Sequence, residues 1–181
     1  MSQDSLVNYL EVQAPLAFDD RAYRLAYSGA QAKVYYLQEY LPEGQELASY
    51  NNMLMVSALV SDQSAQDLAV TKMGELDIMK QFDPVCNYEL NQKPDGSEYL
   101  LDFLLSEFNE DSILTLIEFN IYHYRTVQVS RKKKAVVLFA YSERAYGEAI
   151  ELFFQQFAET RENLLNAMIS LEKPEVQVPA N

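Results

Sequence analysis

The sequence predicts an α+β fold: a mainly antiparallel sheet covered by helices on both faces, an α/β/α sandwich of about six to seven strands and two main helices. Three observations carry this expectation. Short runs rich in Tyr and aliphatic residues are separated by turn signals such as Pro42-Glu43-Gly44 and Pro94-Asp95-Gly96. Residues 64–82 and 146–171 space their apolar side chains as helices do. Leu100-Leu101 with Leu104-Leu105, and Val136-Val137-Leu138-Phe139, are apolar on both sides of a strand, and such strands need cover on both sides.

The elements follow in order. Residues 1–20 are mixed, with Pro15 and Asp19-Asp20 breaking any pattern. Tyr23 to Ser28 and Lys33 to Leu41 read as strands, with the turn at Ser28-Gly29. Pro42-Glu43-Gly44 turns the chain, because Pro presets φ and Gly tolerates positive φ. Residues 45–50 read as a short helical turn, and Met53 to Val60 as a buried strand. Ser64 caps a helix that runs to Phe82; Asp67, three residues on, nearly completes a capping box, and Pro84 stops it. Its inward stripe is Leu68, Met73, Leu76, Met79 and Phe82. A meander follows: 85–92, a tight turn at Lys93-Pro94-Asp95-Gly96-Ser97, 98–108, a polar turn at 109–112, then 113–129. This last run is long enough to imply a bend or bulge. Residues 134–141 form the last strand. Tyr146 to Leu171 is the second helix, with Ile150, Phe153, Phe154, Phe157, Leu164, Leu165 and Met168 inward. Lys173-Pro174 ends it.

The chain of 181 residues is 49% apolar and 23% charged, the balance of a folded domain. We read one domain over 1–175 and a flexible tail over 176–181. No signal peptide or transmembrane run is expected, because residues 1–10 lack a basic region and no long apolar stretch occurs. The plain location is cytoplasmic; a periplasmic or secreted one applies if a leader has been trimmed.

The stretch Glu39-Tyr40-Leu41-Pro42-Glu43-Gly44-Gln45 to Met55 resembles a strand–turn–strand signature of bacterial PsbP-like α/β/α sandwich proteins. The order helix, meander, long helix is similar to that class as well. The resemblance implies an accessory or partner-binding role without recognisable catalysis, and it carries over no site residue.

Charge and composition exclude many functions. With 27 acidic and 14 basic residues the net charge is −13, against a nucleic-acid partner, since affinity for phosphate backbones comes from Lys and Arg. One Cys and one His leave no metal or cofactor site to expect. A Cys86–His123 dyad is excluded by the meander. Pairing Cys86 opposite residue 104, and 104 opposite 116, puts His123 about seven residues and about 23 Å away. Cys86 therefore reads as a small core residue, and His123, in phase with Ile117, Phe119 and Ile121, as a packed core imidazole. The carboxylates at Asp19-Asp20 and at Glu107, Glu110 and Asp111 read as solvated turns.

The most informative charge feature is Arg131-Lys132-Lys133-Lys134, four of the 14 basic residues in one turn. Register arithmetic puts Lys93 and Arg125 toward the same end of the sheet. Tyr122 and Tyr124, on the face opposite His123, add a candidate recognition surface. Ordinary hairpin-tip solubility and sheet packing explain the same residues without a ligand. The expectation is a non-enzymatic binding or accessory domain for a protein or an anionic ligand. The alternatives are a hydrolase using cleft carboxylates, or a self-associating protein, a homodimer paired through an edge strand within 21–41.

Overall fold

The computed structural model describes residues 6–179. Its strands are β1 (Leu16–Phe18), β2 (Arg21–Gln31), β3 (Tyr35–Pro42), β4 (Asn52–Val60), β5 (Asn87–Gln92), β6 (Glu98–Phe108), β7 (Leu114–Ser130) and β8 (Lys133–Tyr146). Its helices are α1 (Ala65–Met79) and α2 (Ala149–Ser170). All strand pairs are antiparallel, and the sheet order is β1-β2-β3-β4-β8-β7-β6-β5.

The fold class departs from the sequence expectation. The structure is an eight-stranded sheet curled into a half-barrel with two helices, not a helix-covered sandwich of six to seven strands. The doubly apolar strands β6 and β8 do have two dry faces, and this local fact does not extend across the sheet. Leu101, Phe103 and Val136 pack under α1, while Leu100, Val137 and Phe139 join the larger cluster that holds Leu164 and Met168 of α2. The helices are too few for the rest. The second cluster is completed by non-helical chain, Leu10 and Val12 before β1 and Val176 and Val178 after α2. Val176 and Val178, in the stretch read as a flexible tail, thus pack on the core, and the Gln177 N–H donates to the Leu10 carbonyl at 2.9 Å; residues 180 and 181 of that stretch lie outside the described ones. A sheet this wide curls because each strand twists relative to its neighbour.

The additional strand is β1. Asp19 and Asp20 both take positive φ, 47° and 56°, so the pair read as a break is a two-residue hairpin turn. The β2–β3 turn also moves. Gly29 lies inside β2 opposite Leu37, and the chain reverses at Ala32-Lys33, both with positive φ. Strand β3 is interior, so the expected edge at 21–41 shrinks to Arg24–Gln31 of β2 beyond the short β1, where a bulge interrupts the register.

The start of α1 follows the sequence, but the helix stops at Met79 rather than Phe82, and α2 starts at Ala149, since the chain through Tyr146 belongs to β8. The Asp67 N–H donates to Ser64 Oγ at 3.1 Å and the Ser64 N–H to Asp67 Oδ2 at 2.7 Å, a complete capping box. The inward face of α1 is Ala65, Ala69 and Leu76; Met79 and Phe82 point outward, Phe82 being 78% exposed. Strand β7 runs 17 residues, with register shifts against both β6 and β8.

Candidate functional site: the basic end of the sheet

The turns after β2, β5 and β7 lie at one end of the sheet. Lys33, Lys93, Arg125, Lys173 and the run Arg131–Lys134 gather there, eight of the 14 basic residues of an acidic chain. The end divides into two sites.

The first is a groove of about 440 Å³ between the β2–β3 and β7–β8 turns. Lys33 stands on one side and Lys132, Lys133 and Lys134 on the other; Asp62 is the acidic residue of its lining. Backbone bonds hold the walls together. The Ser61 N–H donates to the Lys134 carbonyl, and Gln128 Nε2 to the carbonyls of Ser130 and Lys133. The long stems leave the ammonium groups of Lys33 and Lys132 in solvent. Arg131 is exposed at the tip of the same turn.

The second site takes Lys93 and Arg125, which the lysine run does not join. Glu98 pairs in register with Arg125. Glu98 Oε1 accepts from Lys93 Nζ at 3.0 Å, and Glu98 Oε2 is 2.7 Å from His123 Nε2. The hydrogen bond to His123 leads the effects that hold the Glu98 carboxyl below its ordinary range. His123 is 5% exposed, and burial pushes its imidazole down, against the pull of Glu98. Its Nδ1 has no partner, nor has Arg125 Nε; Arg125 Nη2 donates to the Pro174 carbonyl at 2.8 Å. Lys173, after α2, closes the site. Its Nζ donates to the carbonyls of Met168 and Leu171, and burial pushes it down. These groups border a cavity of about 290 Å³.

Tyr122 and Tyr124 do not belong to this end. Both point to the α1 face, away from His123 and Arg125. Tyr124 is 4% exposed, and Tyr122 packs edge-on to Phe103 with ring centroids 4.9 Å apart. Burial raises both phenols well above their ordinary value. Tyr124 is a core ring beneath α1, and Tyr122 is half-buried there and borders a hollow on that face.

Cys86 and His123 are kept apart. Residue 104 pairs with Phe119, not 116, because the β6–β7 loop spans residues 109–113 and a one-residue bulge adjoins it. His123 therefore sits opposite Leu100, and Leu100 opposite Asn91, about five residues or 17 Å along β5 from Cys86. The two also face opposite sides: Cys86 Sγ donates to the Leu76 carbonyl under α1, and burial pushes the thiol up. Among the described residues no three His, Cys, Asp or Glu side chains are grouped to hold a metal ion, and no helix is long and apolar enough to cross a membrane.

The turn carboxylates Asp19, Asp20, Glu107, Glu110 and Asp111 are exposed. A better-placed pair was missed. Glu39 and Glu118 line a hollow of about 340 Å³ on the sheet face beside α1. Arg144 Nε pairs with Glu118, Tyr50 donates to the same carboxylate at 3.1 Å, and the guanidinium lies 4.2 Å over the Tyr50 ring. Burial pushes Glu39 up, partly offset by Arg144. Alternation along β3 and β7 could have put both glutamates on one face, but their sharing one hollow needs the β4–β8 pairing between them.

No curated protein matches the chain. The model of a protein family of unknown function matches residues 10–172, and the chain belongs to that family.

Proposed function

We propose that the chain is a non-enzymatic binding module whose lysine groove receives an acidic segment of a partner protein. One observation carries the reading: Lys33 from one turn meets Lys132, Lys133 and Lys134 from another across an open groove. The whole chain carries a net charge of −13 while eight of its 14 basic residues gather at this end, so this end is where an anionic group finds an attractive field. The groove is open, with Lys33 and Lys132 exposed on its two sides, which suits several carboxylates on a flexible segment better than one buried anion. The test is fluorescence anisotropy with a labelled hexaglutamate peptide. Wild type binds it, more weakly as salt rises, and K132E/K133E weakens it on the order of tenfold or more. Equal binding by the two proteins removes the groove as the site.

A carboxylate hydrolase is the second reading, favoured by Glu39, a carboxyl raised by burial at the edge of a hollow that also holds Glu118. Turnover of nitrophenyl glycosides that disappears in Glu39→Gln supports it; turnover unchanged in that variant, or none in wild type, counts against it.

A further inference from the structure

We propose that the cavity between the β5–β6 turn and the end of α2 binds a small organic anion, a short-chain aliphatic carboxylate. This site is separate from the lysine groove and does not depend on it. Its walls combine an apolar surface with surplus positive charge. Pro94, Leu100 and Ile169 supply the apolar part, and Ile169 is 67% exposed with nothing over it among the described residues. Lys93 and Lys173 border the same space, with Arg125 behind them.

The charges do not balance within the fold. The charged groups acting on Lys173 are Glu98, Arg125 and Lys93, so three cations share one carboxylate. Both oxygens of Glu98 are already engaged, one by Lys93 and one by His123. Asp95 also faces Lys93, its Oδ1 accepting from the Ser97 N–H and hydroxyl, so two carboxylates stand against three cations and one positive charge is left over. Burial pushes the His123 imidazole down, against its charged form, and among the described residues its Nδ1 has no partner.

Chemistry then selects the ligand. Lys93 gives one N–H to Glu98 and Lys173 two to backbone carbonyls, so each ammonium retains a donor for a carboxylate. A short alkyl chain covers Ile169 and Leu100, and a cavity of about 290 Å³ holds no more than a small molecule. A dianion such as inorganic phosphate would leave the apolar wall uncovered.

Isothermal titration with sodium hexanoate tests this, with 1-hexanol and acetate as the uncharged and chain-free comparisons. Wild type is expected to bind hexanoate at about 10 mM or below, and each comparison on the order of tenfold more weakly. Lys93→Glu, at an exposed side chain, and Ile169→Asp are each expected to weaken hexanoate on the order of tenfold while the urea midpoint shows each variant folded, and K132E/K133E leaves hexanoate binding unchanged. Absence of hexanoate binding, equal binding by Lys93→Glu, or an equal loss in K132E/K133E would overturn the proposal. Loss of the hexaglutamate peptide alone bears only on the groove.

Discussion

His123 of β7 and Glu98 of β6 meet at 2.7 Å across neighbouring strands, and the chain's single imidazole is buried there. Burial lowers His123, Lys173 and Arg125 lower it further, and only Glu98 opposes them. The folded value therefore lies below the unfolded one. Between the two, the unfolded chain binds the extra proton, so stability is full above the unfolded value and is lost as pH falls through it. Glu98, also lowered, contributes above its own unfolded value and loses that contribution further into acid. Urea midpoints should fall in two stages as pH drops from about 7.5 toward 4. His123→Gln keeps a donor for Glu98 and should abolish the first stage only. A variant curve parallel to wild type would show that the imidazole does not titrate across folding.

Arg161 of α2 reaches back to the sheet. Its Nε and Nη2 donate to the two oxygens of Asp102 at 2.7 and 2.9 Å, and Nη2 also to Glu89 at 2.8 Å. Asp102 is 4% exposed, and burial raises its carboxyl despite the guanidinium. Arg161→Ala leaves that carboxylate unpaired and should cost about 3 kcal/mol at neutral pH. The double variant Arg161→Met with Asp102→Leu should recover most of the loss, as measured by chemical denaturation. No recovery would mean that the pair is not what holds this part of α2 to the sheet.

The turn at Ala32-Lys33 asks two L-residues to adopt positive φ, 50° and 57°. A residue with a Cβ pays about 1 kcal/mol or more for that conformation, and glycine does not. Ala32→Gly is expected to raise stability by up to about 1 kcal/mol while leaving Lys33 in the groove. A lower urea midpoint for Ala32→Gly would show that the turn is not strained as described.

The same turn shows where the sequence was hard to read. Ser28-Gly29 carries turn chemistry and lies inside a strand; Ala32-Lys33 carries none and makes the turn. Misplacing it put Lys33 inside a strand, and with it went the far wall of the groove. Lys93-Pro94-Asp95-Gly96-Ser97 behaved as its residues dictate, with positive φ at Gly96, so the meander and the placing of Lys93 and Arg125 toward one end of the sheet were legible. Lys173 was not, because only the return of α2 and the chain after it brings it to β6. Helical cover was overread from β6 and β8: apolar faces on two strands say nothing of the other six, whose cover comes partly from extended chain that no periodicity marks. Tyr122 and Tyr124 were seen on the correct face, but their burial depends on α1 crossing it.

The central claim is that the basic end of the sheet receives an anionic partner. Backbone amide mapping by NMR during titration with the hexaglutamate peptide tests it most directly. Shifts concentrated at Lys33 and 131–134, with Cys86 and the α1 face unmoved, are the result expected. Shifts scattered over the surface, or centred on the hollow at Glu39, would contradict it.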